Sequence, residues 1–473
     1  MNEDNFFLTN RGDLEERLDP VFYRPSIIKF IKSLLTSKHF KTKPLHKLAL
    51  RIVDGPFGTQ LKVEDYKEEG IPVIRVSNVR TGEISEDKLI HISEEKHRTI
   101  RRSRVFPDDV ILTKAGAILG YSAVFPKHLI EGNITSHSVA ITCTDEILPH
   151  YLKYIFHSEI GQRQIYRWGN KSTRPELNTQ EVKKLIIPVL PIEQQQKIVD
   201  AYTEAIYKRK QLEKKAIELL QNIDEYFLEK LAICLPQEPA NNIGNRMFST
   251  SWHRVTGSRI DAIYHQNFFE LLIKAISKSK YTVTPLKNVL SFIESGSRPK
   301  GGVKQISEGI LSLGGEHVND KCEVIADPPK FIQLEFHKKI LRTQTKLHDV
   351  LIVKDGATTG KIGIIENHNL AKQNINEHVF MMRFSGADPH YITFLLNTTF
   401  MQKLIKREIT GATVTGLTKT ALKTVVIPLP ELEIQRNISM KVADIRNEAL
   451  GLQQKAITEF EKSKIEIQIL FIR

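Results

Sequence analysis

Two stretches of the chain repeat apolar residues every seven positions, a pattern typical of long helices that pair side by side. The first follows Pro191 and contains neither Gly nor Pro up to Ile233, and the second begins near Ile438; Arg209 interrupts the first. We predict that the two helices pair within one chain; the alternative is that each packs singly on its own domain. The predicted pairing residues are Ile198, Tyr202, Ala205, Leu212, Ala216, Leu219, Ile223, Ile438, Val442, Ile445, Ala449, Leu452 and Ala456.

The rest of the sequence alternates short β-branched runs with glycines and helical stretches. Val110–Thr113 and Val350–Val353 are such runs, and His150–Trp168 and His390–Ile409 have the spacing of helices. Runs of four to eight β-branched residues bounded by turn residues are typical of strands. The mixture predicts α+β domains with curled, mainly antiparallel sheets.

The chain also repeats itself once, at an offset near 240 residues. The clearest match is Asp109–Gly120 (DVILTKAGAILG) with Asp349–Gly360 (DVLIVKDGATTG). Other matches keep the same order, and chance is therefore a poor explanation. We predict two halves related by a pseudo-two-fold duplication. The predicted boundaries are a first domain at 1–190, a spacer helix at 191–236, a second domain at 237–430 with a linker at 237–256, and a C-terminal spacer helix at 431–473.

Composition excludes several classes of protein. The 473 residues are 41% hydrophobic and 26% charged, which is ordinary for a globular protein. No window approaches the roughly 18 consecutive apolar residues of a membrane helix, and the acidic N-terminus lacks the apolar core of a signal peptide. Three distant cysteines argue against a disulfide framework or a structural zinc site. We expect a cytoplasmic protein without a membrane partner.

The charge balance favours a polyanionic partner. There are 68 Lys and Arg residues against 55 Asp and Glu, a net charge of +13, which suits DNA because neutralised phosphates release counterions. A basic surface that binds nothing gives the same count. The candidate DNA-binding residues are Arg75, Asn78, Arg101, Arg102, Lys114, Lys171, Thr173, Arg174, Arg298, Lys300, Lys304, His317, Lys354, Thr413, Thr415 and Lys419.

Three segments resemble motifs of catalytic or nucleotide-binding sites, but each lacks residues that the motif requires. Gly356–Ile362 resembles a P-loop but is one spacer residue short and ends in isoleucine where Ser or Thr should bind Mg²⁺. The sequence DPPK at 327–330 has lysine where a base-stacking aromatic would stand, and Pro107-Asp108-Asp109 is followed by no suitably spaced acid-x-Lys strand. We predict no catalytic, cofactor-binding or metal-binding residues in this chain.

The repeated motifs, taken together, resemble the specificity subunits of type I restriction–modification enzymes. The family's opening motif appears as RLDPVFY at 17–23 and RIDAIYH at 259–265. Its glycine hairpin appears as the two matched segments given above, and its I-P-x-x-P exit into a helix as Ile187–Gln196 and, more loosely, Ile427–Gln435. The resemblance covers nearly the whole chain.

This resemblance implies a function and a set of partners. Each variable domain would be a target-recognition domain for one half of a bipartite, asymmetric site on double-stranded DNA. The two helices would pair antiparallel, set the spacing between half-sites and dock two methyltransferase (modification) subunits, which translocase/nuclease (restriction) subunits join. The chain would be a non-catalytic subunit of an adenine methyltransferase/endonuclease. It would bind no cofactor itself, while its partners use S-adenosylmethionine, ATP and Mg²⁺.

Three other interpretations stay open. A specificity subunit of a type IIG-like or other DNA-modification system would use the same recognition domains. A coiled-coil scaffold with two protein-binding modules would not bind DNA, and retention on mixed-sequence DNA that falls steeply with salt would argue against it. A self-contained nuclease or methyltransferase is disfavoured by the missing motifs.

Overall fold

The computed structural model describes residues 7–8, 12, 14, 17–80, 82–169, 175–240, 242–256, 259–299, 306–411 and 416–471. The chain forms two compact units, one from Met1–Gln211 with Lys455–Arg473 and the other from Leu212–Gln454. The predicted boundaries place each long helix in a segment of its own. The compact units instead divide both long helices, the first after Gln211 and the second after Gln454. Those boundaries therefore stay a prediction.

The first unit is an α+β domain. Its helices and strands are α1 (Pro25–Leu35), β1 (Lys41–Pro44), β2 (Ala49–Asp54), β3 (Ile71–Ile74), β4 (Ile90–Ile92), α2 (Glu94–Thr99), β5 (Arg104–Val105), β6 (Val110–Thr113), β7 (Ser122–Val124), β8 (Gly132–Ile134), β9 (Ser138–Cys143), α3 (Pro149–His157), α4 (Glu159–Gly169), α5 (Thr179–Lys183), β10 (Ile186–Val189) and the start of α6 (Ile192–Leu231). The strands form sheets in the orders β2-β9-β6-β7, β4-β3-β8-β5 and β1-β10. All neighbouring pairs are antiparallel except β3 with β8.

The second unit repeats this arrangement. Besides the later part of α6, its elements are α7 (Ile243–Arg246), α8 (Trp252–Val255), α9 (Asn267–Ser277), β11 (Val283–Pro285), β12 (Leu290–Ser295), β13 (Ile310–Leu313), β14 (Phe331–Ile332), α10 (Leu334–Lys339), β15 (Val350–Val353), β16 (Ile362–Ile364), β17 (Asn374–Ile375), β18 (Val379–Phe384), α11 (Pro389–Asn397), α12 (Thr399–Glu408), α13 (Lys419–Thr424), β19 (Val426–Pro428) and the start of α14 (Leu432–Ile469). The sheet orders are β12-β18-β15-β16, β14-β13-β17 and β11-β19, so the second sheet has three strands where that of the first unit has four. The predicted α+β fold and internal duplication are confirmed.

The central sheet of each unit is buried on both faces. In β6, Val110 and Leu112 pack with helix α3, while Ile111 packs with the second sheet through Ile74 and Ile134. Successive side chains of a strand point to opposite faces, so a continuous apolar strand suits this position between two layers. The strand β15 divides its residues between two clusters in the same way.

The glycine hairpins of the duplicated motif have a conformational role. Gly120 and Gly360 adopt φ values of +85° and +94°, where a side chain would be strained. Their carbonyl oxygens accept hydrogen bonds from Gln162 and Gln402, at 3.2 and 3.0 Å, respectively. The P-loop-like segment is therefore the turn between β15 and β16, packed on its own domain.

The two long helices pair antiparallel within each unit. In the first, Tyr202 of α6 contacts Phe460 of α14, with ring centroids 6.1 Å apart. In the second, Ile223 and Phe227 of α6 share a hydrophobic cluster with Ile438 and Val442 of α14. Because early α6 meets late α14 and late α6 meets early α14, the helices run in opposite directions.

Candidate nucleic-acid interface

The first turn of each spacer helix is held to its domain by a buried glutamine. Gln195 accepts a hydrogen bond from the Leu148 amide at 2.9 Å and donates to the Glu146 and Leu190 carbonyls at 2.8 Å. Gln435 accepts from the Asp388 amide at 2.8 Å in the equivalent position. These bonds explain why the helix start carries glutamine in both halves: it orients the helix on the domain.

The predicted pairing residues are all buried or partly buried. Ile198, Tyr202, Ala205, Ala216, Ile223, Ile438, Val442, Ala449 and Ala456 are buried, and Leu212, Leu219, Ile445 and Leu452 are partly buried. The sequence reasoning missed Phe227 and Phe460, which are also buried. Arg209 interrupts the apolar pattern, and its guanidinium lies 5.2 Å from the centre of the Phe460 ring.

Seven of the predicted DNA-binding residues lie outside the described residues. They are Lys171, Thr173, Arg174, Lys300, Lys304, Thr413 and Thr415. Their assignment stays a prediction.

Three predicted lysines lie next to carboxylates of their own domain. Lys114 Nζ lies 2.6 Å from Asp54, and Lys354 Nζ lies 3.6 Å from Asp355. Lys419 pairs with Glu294, and this pairing lowers the pKa of the Glu294 carboxyl. These lysines contribute less positive charge to a phosphate than a free lysine would, since each is partly neutralised.

Two other candidates, Asn78 and His317, are buried and occupy equivalent positions. The Asn78 side chain accepts from the Arg75 amide at 3.2 Å and donates to the Ser85 carbonyl at 3.0 Å. His317 accepts from the Gly314 amide at 2.8 Å through Nδ1, and its Nε2 donates to the Pro328 carbonyl at 2.9 Å. Both side chains hold the turn that follows β3 or β13.

The arginine candidates are more accessible. Arg101 and Arg102 are exposed after helix α2, and neither forms an ion pair with another described residue. Arg75 is half-buried and donates to the Lys88 carbonyl at 2.8 Å, and its Nε is a buried atom without a partner among the described residues. Arg298 lies 2.9 Å from Glu377. Of these, Arg75, Arg101 and Arg102 have the most capacity to bind an anion or a base edge.

Arg75 lines a cavity of about 340 Å³, which we call the first pocket. Its walls are the loops after β2, β3 and β8, represented by Gly58, Ser77 and His137. Gly55 lets two of these loops meet, because a Cβ there would lie 2.1 Å from the Thr135 carbonyl oxygen. Arginine offers hydrogen-bond donors alone, while histidine and hydroxyl groups offer both donors and acceptors.

The second unit has a cavity of about 370 Å³, the second pocket, built from the equivalent loops. Its lining residues include Arg298, Glu316, Lys330, Glu377 and His378. Lys330 Nζ lies 2.5 Å from Glu316. Burial by itself raises the pKa of the Glu316 carboxyl, but hydrogen bonds from Lys330 and from its own backbone amide lower it more, so the group is ionised at neutral pH.

The sequence reasoning missed these two glutamates because it considered only basic residues, histidine, asparagine and threonine as DNA contacts, and no acidic residue. Glu316 directly precedes the candidate His317, and Glu377 directly precedes His378. An acidic residue next to a histidine was the available signal. The described residues contain no group of three or more His, Cys, Asp or Glu side chains that could hold a metal ion. Among them there is also no helix long and apolar enough to span a membrane.

The family model for the type I restriction modification DNA specificity domain matches residues 58–222 and 278–462. The type I restriction enzyme EcoBI specificity subunit of Escherichia coli is 29% identical over 160 residues, which are 32% of this chain and 33% of that relative's length. A protein of Methanocaldococcus jannaschii assigned as the MjaX specificity subunit is 21% identical over 479 residues, covering 99% of this chain and 96% of its own.

A similar fold occurs in a solved structure that describes complex assembly and conformational transition of a type I restriction–modification system. The TM-score is 0.52 at 16% sequence identity, and the match covers 92% of this chain and 97% of that chain. The two regions matched by the family model fall on the two copies of the duplication and together make up more than half of the sequence. The chain therefore belongs to the type I restriction modification DNA specificity family.

Proposed function

We propose that this chain is the DNA-recognition subunit of a type I restriction–modification complex. Each unit would recognise one half of a bipartite, asymmetric site on double-stranded DNA. The observation that supports this most is the duplication itself: two domains with the same order of strands in the central sheet carry pockets in the same place with different side chains. Two such domains suit a site whose halves differ.

We further propose that the spacer helices dock two methyltransferase subunits and that translocase/nuclease subunits join this assembly. S-adenosylmethionine, ATP and Mg²⁺ would then be used by the partners alone. The purified chain should neither methylate nor cleave DNA, and adenine methylation should begin only when the methyltransferase is added. Transfer of a labelled methyl group by the chain alone would contradict this.

DNA binding itself is tested by retention of the full chain on mixed-sequence duplex DNA at rising salt. We expect a steep, linear fall of log affinity with log salt concentration, because each neutralised phosphate releases counterions. Arg101→Ala and Arg102→Ala should each reduce the slope by about one. A chain that is not retained at low salt, or whose retention is insensitive to salt, would favour the scaffold interpretation.

The role of the helices is tested by their length. Four residues inserted near Lys214 lengthen α6 by about 6 Å at 1.5 Å per residue, and base pairs rise about 3.4 Å each. The gap between half-sites should widen by one to two base pairs while the bases recognised stay the same. Two inserted residues rotate the following turns by about 200°, which should abolish assembly. An unchanged gap in the methylation pattern of the four-residue variant would show that the helices do not set the spacing.

A further inference from the structure

The two pockets have equivalent corners with different side chains. In the parallel strand pairs, Ile74 lies opposite Ile134 and Leu313 lies opposite Ile375. The next residues along β3 and β13 are Arg75 and Gly314, which therefore begin the same turn. The amide of Arg75 donates to Asn78 Oδ1 and the amide of Gly314 donates to His317 Nδ1, so the backbone of the corner has the same support in both units.

At this corner the second unit has Gly314 in place of Arg75, and the carboxylate of Glu316 occupies the space of the missing side chain. A Cβ added to Gly314 would lie 2.6 Å from Glu316 Oε2 and 2.2 Å from Asn376 Nδ2. The space from which an arginine side chain would extend is thus filled by the Glu316 carboxylate and an amide. The corner carries a guanidinium in the first pocket and an ionised carboxylate in the second.

The stability of the fold does not explain why the first pocket has an arginine at this corner and the second a glutamate. The ion pair of Glu316 with Lys330 is partly exposed, with 33% and 49% of the two side chains accessible, and pairs of this kind contribute little to stability. A carboxylate is repelled by nearby phosphates, and a hydrogen bond from a donor on the DNA to its second oxygen would offset this repulsion. The amino groups of base edges are such donors.

The chemistry of the two groups suits different bases. Arginine binds the O6 and N7 acceptors of guanine, and glutamate accepts a hydrogen bond from the N4 amino group of cytosine. Arg75 lines the first pocket and donates through Nη2 to the Lys88 carbonyl, and Glu316 offers Oε2 as well as the Oε1 that Lys330 contacts.

We propose that the two pockets each contact one base pair, and that Arg75 selects guanine in one half-site while Glu316 selects cytosine in the other. This inference rests on the proposed function, since it assigns specificity to pockets of domains that bind DNA. It adds which residues discriminate and which base class each takes.

The test is selection of bound sequences from a randomised DNA duplex library by the full-length chain. Arg75→Gln should change the preferred base from guanine to adenine at one position of one half-site, because glutamine pairs with adenine N6 and N7. Glu316→Gln should change cytosine to adenine at one position of the other half-site. The preference for the original base should fall about 5- to 150-fold in each variant.

Each variant contains its own folding control, because the half-site bound by the unaltered unit should remain in the selected sequences. The matched controls are Arg98→Gln in the first unit and Glu335→Gln in the second. Each removes the same charge from an exposed residue of that unit and should leave the bases selected in both half-sites unchanged. If Arg75→Gln loses both half-sites, Arg75→Lys replaces it and should weaken guanine preference while the other half-site stays.

Two outcomes separate the inference from the proposed function. A wild-type chain that selects a bipartite sequence, with variants that select the same one, overturns the inference and leaves the proposed function in place. A wild-type chain that enriches no sequence contradicts the proposed function before any variant is considered.

Discussion

In both units a buried aspartate at the start of the same strand is held by an arginine, but the arginine comes from different strands. Asp109 accepts from Arg51 of β2 at 2.6 Å and from Thr142 of β9 at 2.5 Å. Asp349 accepts two hydrogen bonds from Arg383 of β18, at 2.6 and 2.8 Å. Arg51 faces Thr142 in the first sheet, just as Phe292 faces Arg383 in the second.

The two units therefore preserve this interaction even where the residues have exchanged positions. The pocket corners show the opposite behaviour, since the backbone turn is the same while the charge is reversed between Arg75 and Glu316. A buried carboxylate needs a partner whatever the ligand, whereas a binding pocket is free to change with the base it contacts. This contrast separates the residues that maintain the fold from those we assign to specificity.

The first prediction concerns the ion pair between Arg51 and Asp109, which one substitution removes and a second should replace. Arg51→Phe leaves the carboxylate of Asp109, which is 1% exposed, without its cation, and should lower the free energy of unfolding by about 4 kcal/mol. Adding Thr142→Arg reproduces the arrangement of the second unit and should recover most of this loss. Urea unfolding of the single and double variants measures both effects, and no recovery in the double variant would show that the two arrangements are not equivalent.

The second prediction uses a titratable group that only one of the matched positions has. His157 Nε2 accepts a hydrogen bond from the Ser122 amide at 3.1 Å, and burial lowers the pKa of His157 to about 4. In the second unit Asn397 donates to the Ile362 carbonyl at 3.1 Å instead.

Between about pH 6.5 and 4 the unfolded chain binds a proton at His157 that the folded chain does not. Stability should therefore fall as the pH falls through this window, by at most about 3 kcal/mol. His157→Asn should remove this contribution. Unfolding of both proteins at pH 7 and pH 4.5 measures it, and an identical pH dependence would contradict the prediction.

The third prediction is the smallest and concerns the pocket. Glu316→Gln should change the free energy of unfolding by less than about 1 kcal/mol, because the ion pair with Lys330 is partly exposed. Chemical unfolding beside the Arg51→Phe variant provides the comparison. A loss of unfolding free energy as large as that of Arg51→Phe would show that Glu316 maintains the fold. The pocket corner would then not differ from the buried aspartate ion pairs in this respect.

The sequence predicted the fold well because both of its signals are repeats that can be read directly from the sequence. The seven-residue spacing predicted α6 and α14, and the 240-residue offset predicted two α+β units of the same topology. The position of Phe460 in the helix interface was missed, since the heptad count stopped at Ala456.

The candidate site was harder to predict, since its properties depend on contacts between distant residues. Lys419, which the sequence analysis predicts to contact DNA, is paired with Glu294, 125 positions away. The sequence alone does not show that its charge is partly neutralised within the domain. Glu316 reaches the pocket corner only because Gly314 has no side chain, and this replacement is visible only when the two units are superimposed by their strand register. Charge counts alone could indicate a DNA partner but not which groups face it.

The central claim is that the two units recognise different halves of one DNA site. Its most direct test is the sequence enriched from randomised duplex DNA by the full-length wild-type chain together with its methyltransferase. We predict two dissimilar conserved blocks separated by an unconserved gap of fixed length, with a guanine in one block and a cytosine in the other that depend on Arg75 and Glu316. A palindromic sequence, a single block or no enrichment would contradict the account.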